Sequence, residues 1–331
     1  MEYRVLGRTG LSVSQLGFGC GDVGGLMVRG KPSERARAVA LAQSLGINYF
    51  DTAALYGKGV SETNLGLALR ESKADVYVGT KVGLTAGERG DIRGSVVRSV
   101  ERSLDRLGMD SVDLIQLHNR LRYRPGTSQP ELSTEEVLGQ VVEAFQELRS
   151  QGKVRFYGIT GLGETETLHR VIDSGAIDTA QVCYNLLNPS AGAATPEEFY
   201  AQDYGQLIDR AAAQGTGVIG IRVVAAGALS GVVGRHPLAM PSVAPIGSGK
   251  DYDEDLRRAG SFQFLVSEGV VETLVEAALR FVLSKSEVST ALVGFSSLEQ
   301  LQKSAEWASR GPLPASALHR LPQIWSRFAR G

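Results

Sequence analysis

The stretch "VDLIQLH", residues 112–118, is a short apolar run that ends in a histidine. Its mostly apolar, unalternated character is the pattern of a strand buried on both faces of a parallel sheet. Seven further runs rich in β-formers occur at "SQLGFG" (14–19), "NYF" (48–50), "VYVGTK" (76–81), "RFYGIT" (155–160), "TAQVCY" (179–184), "GVIGIR" (217–222) and "STALVG" (289–294). The chain therefore has eight candidate strands.

Amphipathic stretches with recognisable helix ends lie between most of these strands. Ser133 and Glu136 have the spacing of a capping box. Thr195 and Glu198 repeat it, with a proline at the first helical position. Ser33 is a candidate cap for a helix that ends near residue 46, and another helix runs from about residue 91 to the glycine at 108. Strands that alternate with helices indicate a parallel α/β fold.

Eight strand–helix units in a chain of 331 residues favour a closed barrel over an open sheet. We predict a single α/β domain, residues 1–331, with the (β/α)8 TIM-barrel fold. The segment "YRVLGRTGLSVSQL" predicts a short N-terminal β-hairpin that turns at residues 8–10, outside the eightfold count. Residues 223–268 are long for a barrel connection, and loops of that length at the C-terminal rim are usually functional or mobile.

Composition excludes several classes of function. The 35 basic and 36 acidic residues nearly balance, so no bulk charge favours a nucleic acid or an anionic membrane as a partner. The two cysteines form neither a disulfide scaffold nor a metal cluster, which favours a reducing cytoplasm and no metal cofactor. The start "MEYRVLGRTG" predicts no signal peptide, and no apolar run approaches the ~20 residues of a membrane span. The oligomeric state is open.

The segment "GCGDVG", residues 19–24, matches the dinucleotide-binding pattern G-x-G-x-x-G and follows a candidate strand. In a dinucleotide-binding sheet the third glycine opens a helix at once. Here the next helix is predicted near Ser33, after "GLMVRGKP". The glycines are therefore expected in a loop, which argues against a Rossmann fold.

Four polar residues follow or end different candidate strands: Asp51, Tyr56, Lys81 and His118. Each alone has an ordinary structural explanation, but a barrel brings strand ends to one rim, where catalytic groups lie. An ammonium beside a phenol favours the phenolate, and a carboxylate keeps a buried lysine charged. A histidine can orient a substrate oxygen. The set tunes a proton donor and acceptor but has no electron sink, so a cofactor must carry the redox equivalents.

The sequence resembles the aldo-keto reductases over nearly its whole length. The resemblance rests on "LGRTGLSVSQLGFG" (6–19), "GINYFDTAALYGKGVSE" (46–62), "TKVG" (80–83), "DLIQLH" (113–118), "GKVRFYGIT" (152–160), "QVCYN" (181–185) and "LVGFSSLEQL" (292–301). It implies a cytoplasmic enzyme that interconverts a carbonyl (aldehyde, ketone or aldose) and an alcohol or lactone by hydride transfer. Tyr56 is then the general acid/base, Asp51 and Lys81 tune it, and His118 orients the substrate. The segments "GITGL" and "GFSSLEQL" resemble the branch that oxidises sugars such as galactose or fucose at C1.

The resemblance also implies residues for a nicotinamide cofactor. Gln181 and Asn185 stand where the family binds the carboxamide region, and Thr160 stands at the position of a usual serine. Ile221 replaces an aromatic ring that often stacks on the nicotinamide, and Arg222 replaces a common serine. We therefore expect Thr160, Gln181, Asn185 and Arg222 to contact this end of the cofactor.

The phosphate end of the cofactor is expected after the last strand. Gly294 leads into a helix with a predicted Ser296/Glu299 capping box, and free amides at a helix start suit a phosphate. Gly294, Ser296, Ser297 and Gln300 are the candidate contacts. This segment has no arginine for a 2′-phosphate, so NADP(H) is preferred from the resemblance and NAD(H) stays possible.

Two other functions fit parts of the same pattern. One is a non-enzymatic nicotinamide-nucleotide sensor or regulatory subunit, similar to potassium-channel β subunits that keep this barrel. His118 argues against it because that group replaces this histidine. The other is a barrel lyase or isomerase in which Lys81 forms a Schiff base with the substrate.

Overall fold

The computed structural model describes residues 1–126, 130–196 and 198–328. Eight parallel strands close into a barrel in the order β10-β3-β4-β5-β6-β7-β8-β9. They are β3 (Leu16–Gly19), β4 (Tyr49–Asp51), β5 (Tyr77–Val82), β6 (Val112–Leu117), β7 (Val154–Gly161), β8 (Thr179–Cys183), β9 (Gly217–Ile221) and β10 (Val288–Gly294). The predicted (β/α)8 barrel is confirmed, and each strand lies within two residues of its predicted ends.

The N-terminal hairpin is also confirmed. Strands β1 (Tyr3–Val5) and β2 (Ser12–Ser14) pair antiparallel around a 3-10 turn at Gly7–Thr9. Leu6, Leu11 and Val13 are buried together with Tyr49 inside the barrel. The hairpin therefore closes the end of the barrel opposite the C-terminal rim.

The helices surround the barrel. They are α1 (Leu26–Arg29), α2 (Pro32–Ser44), α3 (Val60–Ser72), α4 (Ile92–Leu107), α5 (Thr134–Glu136), α6 (Val142–Ser150), α7 (Thr165–Asp173), α8 (Leu207–Ala213), α9 (Tyr252–Ala259), α10 (Phe264–Ser267), α11 (Leu274–Leu283), α12 (Leu298–Ser309), α13 (Ala315–Leu318) and α14 (Leu321–Phe328). A π-helical turn at Val137–Val141 joins α5 to α6. No helix of the described residues is long and apolar enough to cross a membrane.

Helix α4 shows why these segments form where they do. Its buried residues recur at helical spacing, so one face packs on the barrel while the rest meets solvent. Asp91 accepts a hydrogen bond from the Gly94 amide at the start, and Gly108 ends the helix in the left-handed region with φ 63°. Full burial of each valine or leucine on such a face contributes roughly 1.5–3 kcal/mol.

Three predicted helix starts are wrong. Helix α2 begins at Pro32, with Lys31 before it, because proline is itself suited to the first helical position; Ser33 lies inside the helix. The predicted helix at 195–198 is absent at residues 195, 196 and 198; Thr195 Oγ1 instead donates to Asp203. Ser296 is not the α12 cap, because the cap is Ser297, whose Oγ accepts the Gln300 amide.

Residues 20–25 form a loop, as predicted for the glycine-rich segment. The short helix α1 follows at Leu26, earlier than the helix expected near residue 33. This loop packs on the end of β10, where the Ser296 hydroxyl donates to Gly24 O at 2.6 Å and the Leu26 amide donates to Phe295 O at 3.1 Å. The glycine-rich loop, which follows the first barrel strand, is therefore hydrogen-bonded to the segment after the last barrel strand.

Candidate active site

The barrel brings Asp51, Tyr56, Lys81 and His118 together at its C-terminal rim, and we call this set the rim cluster. Asp51 ends β4 and Lys81 lies near the end of the neighbouring β5. Their side chains form an ion pair, and both are only 1% exposed. Lys81 Nζ also donates to Thr52 O at 2.8 Å and to the Tyr56 hydroxyl at 3.3 Å. Lys81 therefore connects the buried carboxylate to the phenol.

His118 completes the cluster from the next strand. It directly follows β6, where its amide donates to Val82 O at 2.7 Å. The rings of His118 and Tyr56 are 5.7 Å apart and nearly perpendicular. The phenol and the imidazole thus lie side by side, where both can reach one substrate oxygen.

The backbone after Tyr56 holds the phenol in place. Three consecutive residues, Gly57, Lys58 and Gly59, have positive φ of 57°, 54° and 94°. Asp22 accepts the Gly57 amide at 3.0 Å, which ties the turn to the glycine-rich loop. A Cβ at residue 59 would lie 2.7 Å from the Arg106 side chain, so glycine is required there by both space and conformation.

Electrostatics keep Lys81 charged. Burial alone lowers the pKa of a lysine, but the adjacent Asp51 carboxylate and Tyr56 raise the pKa of Lys81 above its ordinary value. A Schiff base needs a neutral amine as the nucleophile. An ammonium that is held by three acceptors argues against the lyase or isomerase hypothesis.

The pKa of Tyr56 departs from the expectation. Burial raises the pKa of the phenol above its ordinary value, and the Lys81 ammonium acts in the opposite direction. Lys81 thus lowers the pKa of Tyr56, as predicted, but burial raises this pKa by more. The phenol is therefore neutral at neutral pH and is able to donate its proton.

His118 is neutral over the same pH range. Burial and the nearby Lys81 ammonium lower the pKa of His118 to about 3. Its Nδ1 is buried and has no hydrogen-bond partner among the described residues. A neutral imidazole can orient a substrate oxygen without competing for the proton that Tyr56 transfers.

The predicted nicotinamide contacts lie on strands β7 to β9. Thr160 Oγ1 is buried without a hydrogen-bond partner in the described part of the chain. Gln181 Nε2 donates to Asp51 Oδ2 at 2.7 Å. The Asn185 amide is already engaged, because its Nδ2 donates to Arg222 O at 2.9 Å and its Oδ1 accepts the Leu187 amide at 2.9 Å. Thr160 is therefore the group with the clearest unmet hydrogen-bonding capacity.

A cavity of about 470 Å³ adjoins the end of β10 and the start of α12, and we call it the α12 cavity. Gly294, Ser296 and Gln300 line it, while Ser297 caps the helix at its edge. Gln300 Oε1 accepts the Ser296 amide at 2.8 Å. The first amides of a helix have no acceptor inside the helix. The residues present thus suit the phosphate end of a nucleotide.

Two cationic side chains line the α12 cavity. Lys303 comes from α12, and Arg235 comes from residues 231–250, which we call the covering loop. Arg235 Nε donates to Met240 O at 2.6 Å and its Nη1 donates to Ala226 O at 2.8 Å. The sequence did not indicate the position of Arg235, because no motif shows that a loop residue lies beside a helix more than 60 positions later.

Two hydrogen bonds join the covering loop to the glycine-rich loop and to α1. The Met240 amide donates to Val23 O at 3.2 Å, and Arg29 Nε donates to Leu238 O at 2.8 Å. Val23 and Gly24 themselves line the α12 cavity. The wall of the α12 cavity is therefore formed by the loop after the first barrel strand, by the segment after the last barrel strand and by the covering loop.

Comparison with known proteins adds independent findings. The model of the aldo/keto reductase family matches residues 15–326. L-galactose dehydrogenase of Arabidopsis thaliana is 30% identical over 92% of this chain and 86% of its own length. Pyridoxal 4-dehydrogenase of Microbacterium luteolum is 28% identical over 92% of both chains. The holo form of an aldo-keto reductase from Bacillus halodurans has a TM-score of 0.72 and 27% identity over 99% of this chain and 96% of its own.

Proposed function

We propose a specific reaction for this oxidoreductase, which belongs to the aldo/keto reductase family. It interconverts a carbonyl and an alcohol or lactone by hydride transfer, with Tyr56 as the general acid/base. The observation that carries the proposal is the position of Lys81 Nζ, which is paired with buried Asp51 and lies 3.3 Å from the Tyr56 hydroxyl. Such a chain of groups holds a proton donor at a fixed point of the rim.

In the reducing direction, the substrate carbonyl oxygen accepts hydrogen bonds from Tyr56 and His118. The neutral phenol passes its proton to that oxygen as negative charge develops there. The remaining phenolate is stabilised by the Lys81 ammonium, whose own charge is balanced by Asp51. In the oxidising direction the phenolate takes the proton from the substrate hydroxyl.

A nicotinamide cofactor supplies or accepts the hydride when it is bound. Thr160 and Gln181 lie on β7 and β8 beside the rim cluster, and we assign them to the nicotinamide end. We assign Asn185 and Arg222 to the edge of the nicotinamide site, where the Asn185 side-chain amide donates to the Arg222 carbonyl oxygen. The unpartnered hydroxyl of Thr160 supports the assignment.

For the other end of the cofactor we propose the α12 cavity, with Gly294, Ser296, Ser297 and Gln300 as neutral contacts. Arg235 and Lys303 line the same cavity, and cations there favour the extra phosphate of NADP(H) over NAD(H). NADP(H) is therefore the proposed cofactor.

The substrate class follows from the relatives rather than from the rim itself. One acts on L-galactose and another on pyridoxal by their names, and both substrates present an aldehyde carbon or its cyclic form. We propose a small aldehyde or an aldose oxidised at C1.

The test is an assay of the purified protein in both directions. Aldehydes such as a nitrobenzaldehyde are offered with NADPH or NADH, and aldoses with NADP⁺ or NAD⁺, while cofactor absorbance is followed. We expect turnover with at least one class and a preference for the phosphorylated cofactor. If calorimetry detects no binding of either cofactor, the proposal is lost.

A further inference from the structure

Tyr49 is a second tyrosine beside the rim cluster that the reaction above does not use. It lies on β4 two residues before Asp51, so both side chains point into the barrel. Its hydroxyl donates to Asp51 Oδ2 at 3.0 Å, and the residue is fully buried. Burial next to a carboxylate raises the pKa of Tyr49 well above the ordinary phenol value, so it is a permanent donor.

The neighbouring strands leave room for this phenol. A Cβ at residue 79, on β5, would lie 2.6 Å from the Tyr49 hydroxyl, and a Cβ at residue 17, on β3, would lie 3.2 Å from the Tyr49 ring. Glycine at both positions lets a large polar side chain enter the barrel. The hydroxyl is thereby directed to the carboxylate.

Asp51 divides its two oxygens between different partners. Oδ1 pairs with Lys81, whereas Oδ2 accepts from Tyr49 and from Gln181 Nε2. Two donors on Oδ2 stabilise the carboxylate and draw part of its charge away from Lys81. The Lys81 ammonium then stabilises the phenolate form of Tyr56 more strongly.

We infer that Tyr49 is a positioning residue: its hydroxyl fixes Asp51 Oδ2, leaves Oδ1 for Lys81, and through Lys81 makes Tyr56 a better acid. The role rests on the proposed function, because it matters only if Tyr56 transfers a proton. It concerns an interior residue that never touches the substrate.

Other charged and titratable groups lie on the elements around this site and are kept constant in the test. They are Cys20 at the end of β3, Asp113 and His118 on β6 and after it, and Arg222 after β9. None of them is changed by the variants below. A shift between variants therefore reports the loss of the Tyr49 hydrogen bond.

The test measures Tyr56 directly. Protein that carries ¹³Cζ-labelled tyrosine is titrated by NMR, and Tyr56→Phe identifies the Tyr56 signal among the ten tyrosines. In Tyr49→Phe the pKa of Tyr56 should rise by about half a unit, since a donor to the charged partner is lost. The rate of alcohol oxidation below that pKa should fall roughly threefold, because the phenolate fraction falls by the same factor.

Two further variants make the result decisive. Gly79→Ala keeps Tyr49 but displaces its hydroxyl from Asp51. It should therefore also raise the pKa of Tyr56, and it provides the test if Tyr49→Phe does not fold. Tyr157→Phe removes a buried phenol on β7 that packs on Phe145, and it should change nothing. An unchanged or lowered pKa of Tyr56 in the folded variants overturns the inference.

The NMR titration needs no turnover. If the wild-type protein transfers no hydride, the proposed function fails, while the effect of Tyr49 on the Tyr56 phenol is still measured. A wild type that is active but shows no shift in the variants overturns the role of Tyr49 alone.

Discussion

Lys81 and Asp51 are 1% exposed and take their places from two adjacent barrel strands, whereas Arg235 reaches the α12 cavity from the covering loop, outside the strands. The rim cluster is fixed by strand register, which tolerates no slip without turning every side chain to the other face. The α12 cavity is instead lined by segments that lie far apart in the sequence and are joined largely by loop hydrogen bonds. The rim cluster is thus placed by the barrel strands, whereas the proposed cofactor cavity is walled largely by loops.

The largest effect is expected for Tyr56→Phe, which keeps the ring and removes the proposed proton donor. Carbonyl reduction should fall by roughly 10²–10⁴-fold, the usual contribution of general acid catalysis. The dissociation constant of the cofactor should stay nearly constant, because Tyr56 does not line the α12 cavity. Steady-state kinetics and calorimetry measure the two quantities, and Tyr123→Phe, on an exposed tyrosine, is the control. Near wild-type turnover in Tyr56→Phe would remove it from its role.

The pH dependence of both reaction directions also tests the rim cluster. Burial raises the pKa of Tyr56, so the proton donor is present below that pKa and is lost as the pH rises through it. Oxidation needs the phenolate and should rise about tenfold per pH unit below that pKa. The pKa of His118 is lowered to about 3, so no step in either profile should occur near pH 6.5. A histidine-like step there would show that His118 titrates in the ordinary range.

Arg235→Ala tests the other region. If its guanidinium meets the extra phosphate, the variant should bind NADPH roughly tenfold more weakly, since hydrogen bonds to charged groups are the strong ones. NADH binding should change little. Arg37→Ala, on the exposed face of α2, is the matched control for a lost surface charge. Equal losses for both cofactors would assign Arg235 to the phosphates that NADPH and NADH share.

Gln300→Arg should have the smallest effect. A new cation at the first turn of α12 should raise the preference for NADPH only severalfold, because Arg235 and Lys303 already line the cavity. Dissociation constants of both cofactors, for wild type and variant, give the ratio. A ratio that does not move would put the extra phosphate away from Gln300.

The barrel strands could be predicted from the sequence, whereas the wall of the α12 cavity could not. Apolar runs without alternation predicted all eight strands, because a parallel barrel buries both faces of each strand. Their carboxyl ends then predicted that Asp51, Lys81 and His118 meet. The hydrogen bond from Tyr49 to Asp51 was not foreseen, because it depends on which interior neighbours are glycine.

Long-range packing explains what the sequence could not provide. The α12 cap was placed one residue early, since Ser296 and Ser297 both have a suitable hydroxyl and only the fold gives the first of them to Gly24 O. Arg235 could not be assigned from local pattern, because loop conformation decides where its side chain ends. The direction in which the pKa of Tyr56 is shifted could not be predicted either, because burial raises this pKa, Lys81 lowers it, and only the structure shows how deeply the phenol is buried.

The two tryptophans of the chain occupy different surroundings. Trp307 lines the α12 cavity, whereas Trp325 on α14 donates to Leu186 O at 2.8 Å and is not among the residues that line it. A nucleotide in the cavity would therefore contact one indole and not the other. If the proposed cofactor binds there, Trp307→Phe should remove the part of the fluorescence change that comes from the indole in contact with it, without an added dye.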